Sequence, residues 1–366
     1  MKILDRYLLT ALAIATFMGV TLLSLVLVLG NVFKTLLDML INSNVPLSAI
    51  FSFIAFVLPF SMTFTIPWGF LTALLLVFGR LSADNELLAM RSMGISFTRI
   101  CAPVLLSSLV LAGVCLWINL EVAPQAEQAM MAELYKIATS DPLSFFKSDE
   151  VSEEFPDRRV YVGSRDGKTL KNLLVFELEK GHLSKVVFAK EGEISVDHEN
   201  AQLLLKVKGA RFEQRSSDAP NDFTKISQGI QMQSGVFPMS LKKLFEERMK
   251  WRHLNSYCLG ELIDQLKKKR PERLQLLVEL NKRFSISFAT IAFALIAVPL
   301  GITAHRKETS VGFAFSIMIA FGYFFFIIIA DTFRSNPDAY PILLIWLPNI
   351  IFTSLGIFLF TRLVKK

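Results

Sequence analysis

The residues able to do chemistry are few and poorly spaced for it. Four histidines, His182, His198, His253 and His305, are scattered without metal-ligand spacing, so no structural metal is expected. Cys101 and Cys115 lie on one predicted helix, about 21 Å apart at 1.5 Å per residue, too far to bridge. Cys258 is the lone cysteine of the polar middle of the chain. There is no Gly-x-Ser-x-Gly elbow, no His-Glu-x-x-His and no pair of acids inside an apolar stretch. Gly163-Ser164-Arg165-Asp166-Gly167-Lys168-Thr169 imitates a P-loop, but that motif needs four residues between its glycines and a helix after Lys-Thr. Here three residues intervene and a strand pattern follows, so a hairpin turn is the better reading. The sequence offers no nucleotide site, catalytic centre or cofactor of its own.

What remains is contact chemistry. Arg80–Ser96 links the second and third apolar blocks. Ser82 suits an N-cap, Asp84 and Glu86 suit the positive start of a helix, and Gly94 suits its stop. A helix over residues 83–94 is predicted, with Leu87, Met90 and Met93 on an apolar ridge and Arg91 beside it. Such a helix either enters a groove on a partner or lies as an ordinary amphipathic helix at the interface. Lys34, just past the outer end of the first apolar block, either pairs with a lipid phosphate or snorkels to the interface. Lys282, Arg283 and Arg334 are further candidates for contacting the same phosphate.

These residues hang on a chain that is 52% hydrophobic, against ~45–50% for soluble domains. Between Glu121 and Arg283 lie 27 of the 39 basic and 25 of the 32 acidic residues. Two greasy blocks therefore enclose one polar block. A crossing helix needs about 20 apolar residues, and six such stretches occur: Leu8–Gly30, Ile50–Phe78, Ile100–Leu120, Phe284–Thr303, Val311–Ala330 and Ile342–Phe360. The first is too long for a signal-peptide core and reads as an uncleaved span. Pro59 and Pro67 predict kinks in the second. With the N-terminus inside, ten basic residues outside the polar block fall in the cytoplasm (Lys2, Arg6, Arg80, Arg91, Arg99, Arg306, Lys307, Arg362, Lys365, Lys366) and two, Lys34 and Arg334, fall outside. That bias puts both termini in the cytoplasm and the polar block on the far side. It also accounts for the net charge of +7 without nucleic acid. The span cores carry no ionisable residue, which argues against a proton-coupled carrier.

Within the polar block, Arg159–Val162, Leu173–Leu178, Lys185–Lys190, Glu193–Asp197, Gln202–Lys208, Arg211–Gln214 and Phe223–Gln233 read as short strands separated by turn signals. They predict a sandwich, barrel or jelly roll. Pro124–Lys136 reads as a continuation of the third span, Leu259–Lys269 as an amphipathic helix, and Leu274–Arg283 as the lead into the fourth span. The expected class is an α-helical polytopic membrane protein with an inserted all-β, jelly-roll-like domain. Its parts would be residues 1–120, 121–283 and 284–366.

This arrangement resembles the lipopolysaccharide export permeases of the LptF/LptG (YjgP/YjgQ) type over essentially the whole chain. The supporting segments are Leu4-Asp5-Arg6-Tyr7, Gly79-Arg80-Leu81-Ser82-Ala83-Asp84-Asn85-Glu86-Leu87 with Gly94-Ile95-Ser96, Glu279-Leu280-Asn281-Lys282-Arg283-Phe284, and Val298-Pro299-Leu300-Gly301. The resemblance implies an ABC-type, ATP-driven export complex in a Gram-negative inner membrane. Its partners would be a cytoplasmic ATPase dimer, a second homologous permease and a single-span periplasmic jelly-roll protein, and its cargo lipopolysaccharide. It maps the family's coupling helix onto Asp84–Met93, with Glu86 as its glutamate, and sets Lys34 near the lipid phosphates. The alternatives are a permease for lipoprotein or another lipid, whose large domain more commonly follows the first span, and a membrane scaffold. A membrane enzyme would need polar groups converging at one depth, which the spans lack.

Overall fold

The computed structural model describes residues 3–42, 47–140, 148–155, 158–166, 169–179, 182–197, 202–215, 226–240, 256–268, 273–303 and 309–364. It divides into two compact units, residues 1–34, 51–130 and 254–366 in one, residues 35–50 and 131–253 in the other.

The helices are α1 (Ile3–Asn42), α2 (Leu47–Ala83), α3 (Glu86–Ser92), α4 (Phe97–Trp117), α5 (Ala123–Ser140), α6 (Leu259–Lys267), α7 (Arg273–Thr303), α8 (Thr309–Thr332) and α9 (Pro341–Val364). Six are long and apolar enough to cross a membrane: those carrying Ile3–Gly30, Phe51–Ala83, Phe97–Glu133, Arg273–Thr303, Gly312–Thr332 and Pro337–Leu363. All six expected spans are there. A helix is forced on such segments because hydrocarbon offers the backbone no other hydrogen-bond partner. Where the sequence breaks that rule, a neighbour repairs it. Pro67 cannot donate to the carbonyl of Thr63, and the thiol of Cys115 on α4 points there instead, 3.6 Å away.

α2 and α7 form the centre, each with 67% of its most apolar window buried, against 22% for α1 and α9. Their largest enclosed side chains are Phe70, Phe78, Phe293 and, from α8, Tyr323. A polar knot fastens α7 to α8 and α9. Ser285 Oγ donates to the carbonyl of Ile345 (2.8 Å), Tyr323 donates to the carbonyl of Ser285 (2.9 Å), and Asn349 donates to Ser285 Oγ (2.8 Å). α4 joins α7 where Asn119 Nδ2 donates to Ser287 Oγ at 3.2 Å. Asn119 lies in a single π turn, Ile118–Val122, between α4 and α5.

The second unit contains one antiparallel sheet in consecutive order, β1 (Glu150–Phe155), β2 (Arg158–Asp166), β3 (Thr169–Glu179), β4 (His182–Asp197), β5 (Gln202–Arg215) and β6 (Ile226–Ser240). The all-β insert is therefore present, with longer strands than the sequence suggested. Lys185–Lys190 and Glu193–Asp197 are one strand, as are Gln202–Lys208 and Arg211–Gln214. The apparent breaks between them are a crease. The pairings Gly163/Asn172, Asn172/Lys190, Lys190/Gly209 and Gly209/Gln233 are all missing from ladders that continue in register on both sides of them. Asn172 (φ 56) and Gly209 (φ 60) take left-handed backbone on that line. Each such residue shifts the in–out alternation by one. Leu170 is thus buried on one side of Asn172, and Leu173 and Val175 on the other; Leu203, Leu205 and Val207 precede Gly209, and Ala210 follows it. Both halves contribute to one core with Val160 and Val162, several members at 0–1% exposure, so the sheet folds on its crease and encloses its own apolar face.

Candidate functional site

At one end of the helical unit, α2 runs to Ala83 and turns through Asp84 and Asn85, whose left-handed backbone (φ 58) redirects the chain into α3. The predicted cap at Ser82 is not used. α2 continues past it, and Ser82 Oγ instead donates to the carbonyl of Ile302 at the end of α7 (3.1 Å). The helix is seven residues, Glu86–Ser92, shorter than the 83–94 expected. Its stop is the one predicted. Gly94 takes φ +85, its N–H bonds to the carbonyl of Arg91 (2.9 Å), and the N–H of Ile95 reaches the carbonyl of Met90 (3.2 Å). That is a Schellman closure, accompanied by packing of Ile95 against the core that holds Met90.

The apolar ridge divides. Leu87 and Met90 are buried among Leu81, Phe97 and Ile100, whereas Met93 caps the helix and is 71% exposed. The reason is that a seven-residue helix ends before position 93, so the three-residue spacing no longer places Met93 on the inner face. Leu88, 66% exposed, joins it on the outer surface with Arg91. Asp84 is exposed and sits 3.5 Å from Arg80 one turn back. Glu86 accepts a hydrogen bond from the hydroxyl of Tyr7 on α1, 3.0 Å and 3.3 Å from its two oxygens. Asp5, also on α1, is largely buried and receives Arg99 from the first turn of α4 at 2.8 Å. Sequence reasoning missed both contacts, although Asp5 and Tyr7 stood in a segment that carried the resemblance.

A second polar cluster lies at the other end of α7, which runs about 1.5 Å per residue from Glu279 to Ile302 and so separates the two by roughly 35 Å. Glu279 and Arg283 are 4% and 3% exposed. Arg283 Nε donates to Glu279 Oε1 (3.2 Å) and Nη1 to the carbonyl of Tyr257 (2.7 Å). Lys282 Nζ lies 2.9 Å from Glu279 Oε2 and 3.1 Å from Asp331 Oδ2 on α8. Glu279, Lys282 and Arg283 precede the expected fourth span, Phe284–Thr303. α7 is continuous from Arg273, so the helix that carries the fourth span also carries these three residues, with Glu279 and Arg283 buried. Spacing of three and four residues, Glu279 to Lys282 and Arg283, was the available signal. Of the candidates for a lipid phosphate, Arg283 is held by Glu279 and the carbonyl of Tyr257, and Arg334 is buried. Lys34 lies where side chains fall outside the described residues.

Beside this cluster the amphipathic helix α6 docks on α5 and α7. Gln128 of α5 donates to the carbonyl of Ser256 (2.7 Å) and to Glu261 (3.2 Å). Cys258 caps α6, and partial burial, then the carboxylates of Glu121 and Glu261, push its thiol above the usual range.

Six membrane-length helices and one inserted antiparallel sheet define a multi-pass membrane protein with a β domain after its third span. Comparison with curated proteins returned no match. The family model for the lipopolysaccharide export system permease LptF/LptG matches residues 6–362, and the chain belongs to that family.

Proposed function

We propose that this chain is one permease subunit of an ATP-driven lipopolysaccharide exporter in a Gram-negative inner membrane. It works with a cytoplasmic ATPase dimer, a second homologous permease and a single-span periplasmic jelly-roll protein that receives the lipid. Both termini lie in the cytoplasm and the creased sheet in the periplasm. The family match supports the cargo, and the ten-to-two distribution of basic residues supports the orientation.

The single observation carrying the coupling assignment is the construction of α3. Leu87 and Met90 root it in the core of the bundle, while Asp84, Leu88, Arg91 and Met93 face out. A helix that passes work from a partner to the spans has to be fixed on one side and free on the other. Glu86 opens it with a carboxylate, and Gly94 closes it. The ATPase would read Asp84, Glu86 and Arg91 by charge and Leu88 and Met93 by burial. Glu86→Lys is therefore expected to abolish copurification of the ATPase with the permease pair. Retention of the ATPase at wild-type stoichiometry would overturn the assignment. Mass spectrometry of lipid bound to the wild-type complex tests the cargo, and absence of lipopolysaccharide there would favour another lipid.

A further inference from the structure

α1 is held to the helical unit by a narrow stripe. Leu8, Leu12, Thr16, Ser24 and Val28 are buried, at spacings of four or eight, while Ile14, Phe17, Met18, Leu22, Leu25, Val26 and Leu29 are exposed. The stripe includes a close approach to α2 at Gly19 and Gly69 and a hydrogen bond between the hydroxyls of Ser24 and Thr65 (2.8 Å). Nothing in such a stripe prevents sliding or tilting as firmly as the polar knot at Ser285 does for α7, α8 and α9. Among the described side chains of α1, the charged ties are at its first turns, and both go to the segment around α3. Tyr7 grips Glu86, the first residue of α3, and Asp5 grips Arg99, three residues into α4. The connection from residue 86 to residue 99 is thus held at both ends by two residues of one helix. Two positions apart, Asp5 and Tyr7 leave α1 on different faces, so together they fix its rotation as well as its depth.

We infer that Tyr7 and Asp5 are positioning residues that transmit displacement of α3 to the first span. This rests on α3 being the ATPase-coupling helix. Tyr7 reaches both oxygens of Glu86, so a partner that engages this carboxylate competes with Tyr7 for it, and the engagement is felt by α1 without passing through the packed core. Asp5–Arg99 supplies the pivot, since its carboxylate is the more buried of the two anchors.

The test uses the complete complex in proteoliposomes containing lipopolysaccharide, reading ATP hydrolysis and lipid release to an added acceptor together. Tyr7→Phe keeps the ring and removes the hydroxyl. The expected result is continued ATP hydrolysis with lipid released per ATP falling about tenfold, the scale of one lost hydrogen bond to a charged group. Asp5→Arg and Arg99→Asp should each uncouple, and the double exchange should restore coupling, which a merely structural contact elsewhere would not require. Spin labels at Ile14 and Leu106, both exposed on α1 and α4, should report a nucleotide-dependent distance change in wild type that Tyr7→Phe abolishes. An unchanged lipid-to-ATP ratio in Tyr7→Phe, or an equal fall in hydrolysis and release, overturns the inference while leaving the coupling assignment intact. Failure of the wild-type permease to bind the ATPase overturns the coupling assignment itself.

Discussion

Glu279 is the residue whose loss should cost this fold most for the fewest atoms. Its carboxylate, 4% exposed, faces Arg283 at 3.2 Å and Lys282 at 2.9 Å. At an effective dielectric of about 20, each contact is worth roughly 5 kcal/mol before desolvation is subtracted. Removing the acid leaves that desolvation in place for two cations and takes away what offset it. Glu279→Leu is therefore expected to cost about 3–5 kcal/mol, the range for breaking a buried pair from one side. Lys282 keeps Asp331, and Arg283 keeps the carbonyl of Tyr257, so most of the penalty falls on Arg283. Glu279→Leu combined with Arg283→Met should recover most of the loss, because neither charge then remains. Equilibrium denaturation of the purified protein in mixed micelles reads both. A single variant within about 1 kcal/mol of wild type, or a double variant as unstable as the single, would show that the cluster is solvated and refute the reasoning.

Gly69→Ala places a methyl 2.7 Å from Val20 Cγ2 and 2.8 Å from its backbone nitrogen, so it should destabilise by about 1–3 kcal/mol in the same assay. Gly113→Ala, with nothing within 4 Å of the added methyl, should not destabilise. Cys258 should react with a maleimide only at pH values above those of an ordinary thiol (about 8.5), since burial and two carboxylates disfavour its thiolate. Glu121→Gln should move that reactivity profile down in pH, and an unchanged profile would mean that Glu121 does not face the thiol.

The spans were legible because hydrocarbon leaves uncharged twenty-residue stretches a single solution. The stop at Gly94 was legible for a similar reason: a left-handed position strongly favours glycine. Ser82 was misleading because capping preference describes an isolated helix start, and here the preceding helix simply runs on through it. Leu87, Met90 and Met93 were correctly seen as apolar, but which way a short helix turns its ridge depends on the bundle behind it. The crease in the sheet was misread as strand ends because Gly192 and Gly209 look like punctuation. In the folded unit Gly209 changes the phase of the side chains without stopping the ladder. Tyr7 and Glu86, 79 positions apart, could not be paired from spacing at all.

The placement of charge divides the helical unit into a part that holds and a part that can give. α7 is gripped at both extremes, by the Glu279 cluster at one end and by Ser82 at the carbonyl of Ile302 at the other, with the Ser285 knot between them. The Glu279–Arg283 pair and the Ser285 knot are buried, and rearranging either would expose or orphan a buried polar atom. Over its described side chains α1 has fewer such ties, the Ser24–Thr65 pair and the two contacts at its first turns. Its stripe is apolar or hydroxylic, and an apolar stripe re-registers at little cost when the surrounding medium is itself apolar. On the proposed coupling role of α3, work delivered there meets a stiffer path toward α7 than toward α1. Tyr7 and Asp5 stand at the entrance of the compliant path. A permease whose span cores cannot be driven by protonation at their centres has to be driven by displacement, and the buried charge of α1, Asp5, lies in its first turn beside the segment that carries α3.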